Sequence, residues 1–196
     1  MKLTIAKNDA LILVDIQNDF CTGSLAVPDA LSIIEKANIY IALVKKNDRP
    51  VFATRDWHPK NHSSFKDFGG IWPVHCVQNT FGSMFYKELK LPDNAIIISK
   101  ATNPDKDAYS GFDGTDLDNK LKNLKIRRLF VGGLATDYCV KATVLDALSL
   151  DYTVFFLSDA SKAVNIKPDD EKKSINKMLR AGAILINLNN ITQSLK

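Results

Sequence analysis

No apolar run in this sequence approaches the roughly 18 residues that a membrane-spanning helix requires, and a soluble protein is expected. Lys2 and Lys7 lie near the start, but the apolar stretch after them is broken by Asp15 after five residues, too soon for a secretory signal. A cytoplasmic protein is therefore expected. Cysteine is scarce: Cys21, Cys76 and Cys139 cannot form an even-numbered disulfide framework and are read as thiols. Charge of one sign is lacking too. The net +4 is spread through mixed Lys, Asp and Glu, with no basic stripe interleaved with aromatics, so neither nucleic acid nor a membrane is expected as a partner. No Gly-x-Gly-x-x-Gly stretch follows any candidate strand, which weakens a nucleotide-binding reading. Repeats, low-complexity tracts and flexible linkers are absent, and residues 1–196 read as one domain.

What is present is an alternation of short, β-branched apolar runs with longer amphipathic segments, the signature of βαβ units feeding a parallel sheet. The candidate strands are Ala10 to Val14, Val51 to Thr54, Ala95 to Ser99, Leu129 to Gly132, Thr153 to Leu157 and Ala183 to Ile186. Six of them predict a doubly wound, mainly parallel α/β sheet with helices on both faces. A helix opened by Asp29 carries Ala30, Ile33, Ile34, Ala37, Ile41 and Val44 on one face. Thr115 is the expected cap of a second helix, and Pro168 with Asp169, Asp170 and Glu171 opens another that Gly182 ends. Asp56 to Asn79 and Ala101 to Gly114 are left irregular, which is where function is sought.

Ligands of an open parallel sheet bind beyond the carboxyl ends of its strands, so residues at those ends form one convergent set. Asp15 ends the first strand, Asp56 and His58 follow the second, Lys100 closes the third, and the fourth leads through Gly-Gly-Leu-Ala-Thr-Asp-Tyr to Cys139. With Thr136 as N-cap, Cys139 falls in a first helical turn, where unpaired backbone N–H groups and the helix dipole favour thiolate. A buried, inert thiol is the plain alternative for any single cysteine. Asp15, emerging among apolar neighbours, has the environment of a proton shuttle, although a structural ion pair would look the same in sequence. Lys100 alone means little; with the other two it completes a nucleophile, base and cation set.

All three histidines, His58, His62 and His75, fall in the window that also holds Asp56. Asp and His two apart on an extended segment project to one side, and a later His closing the set resembles a catalytic metal site with open positions. Histidines packed on Trp57 and Trp72 or capping loops remain the alternative. Such a donor set suits zinc, iron or manganese. Cys21 and Cys76 have no proton-accepting partner in view and are read as packing residues.

Four ordered segments resemble one family: Val14 to Phe20 (Val-Asp-Ile-Gln-Asn-Asp-Phe), Asp56 to Pro59 (Asp-Trp-His-Pro), Trp72 to Cys76 (Trp-Pro-Val-His-Cys), and Gly133 to Val140 ending in Asp-Tyr-Cys-Val. The chain is similar over nearly its whole length to the nicotinamidases among the isochorismatase-like cysteine hydrolases. That resemblance implies a metal-dependent amidase converting nicotinamide to nicotinate and ammonia in pyridine nucleotide salvage. It implies a triad of Asp15, Lys100 and Cys139, and one divalent metal, zinc in first place, on Asp56, His58 and His75. His62 matches a position that is a ligand in some members and a hydrogen-bonding residue in others. Phe20, Trp72 and Tyr109 are implied as substrate-binding walls. A cis peptide is implied just before Ala135, with the Ala135 and Cys139 amides as the oxyanion hole. Asn79 and Ser83 depart from the family's Gly and Ala-type positions, and the polar Asn-Pro-Asp-Lys-Asp run after Lys100 looks longer than in some relatives. Two other readings stay open: a metal-free amidase of the same fold acting on another small amide or ureido substrate, and a non-catalytic metal- or ligand-binding module. Assembly into a homo-oligomer is likewise left open.

Overall fold

The computed structural model describes residues 2–192. Strands β1 (Asp9–Val14), β2 (Val51–Asp56), β3 (Ile96–Lys100), β4 (Arg128–Leu134), β5 (Thr153–Lys162) and β6 (Ile184–Ile186) pair in the order β3-β2-β1-β4-β5-β6. Every pairing is parallel. Each predicted strand is found, with its ends moved by a few residues. The largest extension is in β5, where a register shift opposite Val131 to Gly133 lets the strand continue through its polar Ser158 and Asp159.

The sheet is buried on both faces, as continuous apolar runs require. In β1, Leu11 and Leu13 pack toward Ala37, Ile41 and Val44 of α2 (Ile34–Lys46). Ala10, Ile12 and Val14 point the other way. They meet Leu117 and Leu121 of α3 (Leu117–Asn123), Val144 and Ala147 of α4 (Lys141–Ser149), and Met178 of α5 (Asp170–Arg180). Among the described residues no helix is long and apolar enough to cross a membrane.

Helix starts depart from the sequence reading where a side chain has a competing partner. Asp29 precedes a 3-10 turn (Ala30–Ile33) rather than α2 itself, and its carboxylate pairs with Lys162 at 2.9 Å instead of capping. Asp116, not Thr115, sits at the capping position of α3, while Thr115 Oγ1 accepts from the Leu117 N–H at 3.3 Å. Gly182 ends the last helix as predicted: at φ +110° it allows the N–H groups of Gly182 and Ala183 to reach the carbonyls of Leu179 and Met178.

This order reverses direction between β1 and β4, and the crevice beyond their carboxyl ends is where a ligand fits. The irregular segments 57–95 and 101–116, whose only regular turn is Lys66–Phe68, fold over that end of the sheet.

Candidate active site and metal centre

Asp15 is the residue after β1, in a left-handed backbone conformation (φ 51°) and fully buried. Lys100 is the last residue of β3, one strand beyond β2, and is paired in register with Asp56. Cys139 arrives from the other side of the reversal, on a wide π-type turn (Thr136–Val140) between β4 and α4. Strand order alone thus brings together residues separated by up to 124 positions in the chain.

The Lys100 ammonium is the hub. It lies 2.9 Å from Asp15 Oδ2, is paired with Asp56 Oδ1, donates to the Ala108 carbonyl at 3.1 Å, and donates to Cys139 Sγ at 3.5 Å. Two buried carboxylates share one cation, and the environment pushes them apart. Burial favours the neutral form of Asp56, but Lys100 and the neighbouring His58 overcome it and hold this carboxyl below the usual range. At Asp15 burial wins over Lys100, aided by the negative charge of Asp56, and the pKa is raised. A pair driven apart in this way is the expected arrangement of a spectator anion and a proton acceptor. Asp15 Oδ1 accepts from Thr54 Oγ1 at 2.6 Å, the buried Oδ2 is engaged by the Lys100 ammonium at 2.9 Å, and a carboxylate oxygen of Asp15 lies within 4.8 Å of Cys139 Sγ. Burial pulls the Lys100 pKa down, but Asp15 and Asp56 more than offset it, and the ammonium is held firmly charged.

Cys139 differs from the sequence expectation in two respects, its cap and its ionisation. Thr136 is not the cap: Ala135 occupies that position, and Thr136 Oγ1 instead shares a 2.7 Å hydrogen bond with Ser161 Oγ. Burial, opposed by Lys100 but reinforced by the two carboxylates, raises the thiol well above its ordinary value. This environment favours the thiol over the thiolate, which calls for a base placed to take the proton during attack.

Asp56, His58 and His75 each offer one donor atom, all within 4.8 Å of one another and all three residues buried. A short parallel ladder brings the histidines side by side: the His58 N–H donates to the Cys76 carbonyl at 3.0 Å and the Gln78 N–H to the His58 carbonyl at 2.9 Å. The tautomers are set by backbone. Nδ1 of His58 faces the Ala101 carbonyl at 3.3 Å and Nδ1 of His75 the Pro73 carbonyl at 2.7 Å, so both Nε2 atoms carry lone pairs. His58 Nε2 is buried with Asp56 Oδ2 3.6 Å away, too far for a good hydrogen bond, and a cation held between them would satisfy both. Burial also lowers the His75 pKa, keeping it neutral. These residues fit a divalent metal. His62 lies outside the cluster: its Nδ1 is engaged by Ser64 at 2.7 Å and its Nε2 by the Lys106 carbonyl at 3.3 Å, and its ring packs 4.1 Å from that of His58.

A cleft opens onto both groups, bounded by Phe20, Trp72, His75, Tyr109, Ala135 and Cys139. Trp72 Nε1 donates to the Tyr109 hydroxyl at 3.0 Å, fixing the aromatic wall. The Leu134–Ala135 peptide is cis. Sequence reading missed Tyr138, which flanks Cys139 and packs edge-on against Trp72 at 5.2 Å, and Asp107 and Leu25, which also line the cleft. It also missed Thr54, although its position two residues before Asp56 on the same strand face was a usable signal. Neither Asn79 nor Ser83 lines the cleft. Asn79 adopts φ +61°, which Asn tolerates almost as glycine does, and Ser83 is buried with its hydroxyl donating to the Thr80 carbonyl at 2.9 Å. Cys21 and Cys76 pack in the core and stay outside the cleft.

Known proteins share this architecture. The isochorismatase domain model matches residues 9–190. The nicotinamidase of Escherichia coli (strain K12) is 42% identical over 201 residues, covering 91% of this chain and 94% of its own length. The crystal structure of the Pyrococcus horikoshii pyrazinamidase in complex with zinc superposes with a TM-score of 0.89 at 48% identity, over 92% of this chain and 99% of that one. The structure of PnC1 from L. infantum in complex with nicotinate gives 0.91 at 31% identity, over 98% and 99%. The chain belongs to the isochorismatase domain family, in its nicotinamidase branch.

Proposed function

We propose that this protein hydrolyses nicotinamide to nicotinate and ammonia, with Cys139 as nucleophile, Asp15 as general base and acid, and Lys100 as the cation that orders both. The observation that carries the assignment of roles is the single buried ammonium shared by Asp15, Asp56 and Cys139, the last two of which line an aromatic cleft. Phe20, Trp72 and Tyr109 accept the flat ring, and the carboxamide faces Sγ.

Asp15 takes the thiol proton on its carboxylate as sulfur attacks the carboxamide carbon. The carbonyl electrons move to oxygen, where the Ala135 and Cys139 N–H groups stabilise the charge; losing one such donor costs on the order of a hundredfold or more in rate. Collapse breaks the C–N bond, and Asp15 returns its proton to the departing nitrogen as ammonia. Water, deprotonated by Asp15, then cleaves the thioester; nicotinate leaves and the proton returns to sulfur. Lys100 stays charged throughout and balances whichever partner is anionic.

Asp56, His58 and His75 hold the divalent metal, which we take to be zinc, as in the Pyrococcus horikoshii complex. When bound, it would supply Lewis acidity beside the substrate ring. Residues 1–196 act as one hydrolase domain, a reading supported by the family match over residues 9–190.

Ammonia release from nicotinamide, pyrazinamide, benzamide and N-carbamoylsarcosine, before and after chelation, tests the reaction, the substrate and the metal together. Nicotinamide is expected to be turned over, benzamide poorly for want of a ring nitrogen, and chelation is expected to suppress activity. Turnover of a ureido amide alone, indifferent to chelation, would overturn the assignment.

A further inference from the structure

Two residues of the Val-Asp-Ile-Gln-Asn-Asp-Phe segment, Gln17 and Asp19, take no part in the steps above. Gln17 is fully buried. Its Oε1 accepts from the Asp56 N–H at 2.8 Å, while its Nε2 donates to the Asp56 carbonyl at 2.8 Å and to the Ser83 carbonyl at 2.9 Å. One primary amide thus grips both backbone groups of a residue whose carboxylate faces the metal centre. Asp19 has the matching position at the other ligand. Its Oδ2 accepts from the N–H of Cys76, the residue after His75, at 2.7 Å. Cys76 is in the left-handed region (φ 46°), a conformation that a residue with a side chain holds only where surrounding contacts demand it.

The approach of Asp19 depends on glycine. A Cβ at Gly82 would lie 2.0 Å from Asp19 Oδ2, and one at Gly23 would lie 2.3 Å from Oδ1. The Asp19 N–H donates to the Gly82 carbonyl at 3.1 Å, so the short helix α1 (Asn18–Cys21) is stitched to the segment that follows His75. That helix also carries Phe20, a wall of the cleft.

We propose that Gln17 and Asp19 are positioning residues for the metal ligands Asp56 and His75, acting through the backbone from the same turn that presents Phe20. The inference rests on the metal centre proposed above. Groups that orient ligands typically change metal affinity by about 10- to 100-fold when removed, even though they touch no metal.

The test strips the purified full-length chain with chelator and titrates it with Zn²⁺ against a chromogenic competitor. Folding of each metal-free variant is followed by circular dichroism. Asp19→Ala and Gln17→Ala are expected to weaken zinc binding about 10- to 100-fold while the metal-free fold is retained. Asp19→Asn keeps an acceptor oxygen for the Cys76 N–H and is expected to recover most of the affinity. Gly82→Ala, which leaves Asp19 chemically intact but displaces it, is expected to reproduce the Asp19→Ala loss. Nearly isosteric Gln17→Glu, lacking both N–H donors, covers the case in which Gln17→Ala does not fold. In the same variants KM for nicotinamide is expected to rise more than kcat falls. Zinc affinity within twofold of the wild type in folded Asp19→Ala, Gln17→Ala and Gln17→Glu would overturn the positioning role. A wild type that binds no zinc would overturn the metal centre itself, and His75→Ala marks the loss of a direct ligand.

Discussion

Cys139 stands at the start of a helix beside a lysine, the setting that lowers a thiol pKa in many proteins, yet here burial next to two carboxylates raises it. The consequence is a mechanism that leans on Asp15. Replacing Cys139 by Ala is expected to cut ammonia release by on the order of a thousandfold or more while leaving the folded spectrum unchanged. Asp15 makes a sharper prediction. In the proposed mechanism its carboxylate form is the active one, and burial raises its pKa above the ordinary 3.8, so kcat/KM is expected to fall, as pH drops, at a higher pH than a solvated aspartate would give. Thr54 hydrogen-bonds the charged form and holds that pKa down. Thr54→Val is therefore expected to move the acid limb of the pH profile upward; an unmoved or lowered limb would separate Asp15 from the proton transfer.

At the scale of the element, the site depends on how closely β1 and β4 approach at the reversal of strand order. Gly133 pairs with Val14 there, at φ +122°, and a Cβ on it would lie 2.1 Å from the Val14 carbonyl oxygen. Any side chain would both strain the backbone and wedge apart the strands that present Asp15 and Cys139. Gly133→Ala is expected to destabilise the fold by more than about 1 kcal/mol in urea unfolding, with a parallel loss of turnover. Unchanged stability would mean that the strands can part without cost. The strands themselves were legible from their apolar β-branched runs, because burial on both faces leaves a continuous signal. Helix starts were less so. Asp29 and Thr136 look like caps in sequence, but Lys162 and Ser161 claim their side chains, and those partners lie 133 and 25 residues away.

For the whole molecule, metal binding and folding are linked. The donor set is assembled only in the folded chain, from β2, its following loop and the segment around His75, so the metal stabilises the native state by mass action. Zinc at about 100 times its dissociation constant is expected to add roughly 2.7 kcal/mol. For a chain of this size that is a rise of roughly 5–10 °C in Tm, read by differential scanning calorimetry with and without chelator. A Tm indifferent to zinc would show that the three donors do not act as one site.

The sequence by itself determined the sheet, the order of its strands along the chain, and the candidate residues at the strand ends, since period and residue type are local properties. It also carried the family signature in four short segments. Only the tertiary structure decided which of those residues share a charge, which histidine nitrogens are left with lone pairs, and which groups brace them. Those outcomes turn on burial and on contacts between distant segments, such as Gln17 with Asp56 and Asp19 with Cys76. For the same reason Cys139 could be recognised from its neighbours in the chain, but the burial and charges that act on its thiol could be read only from its neighbours in space.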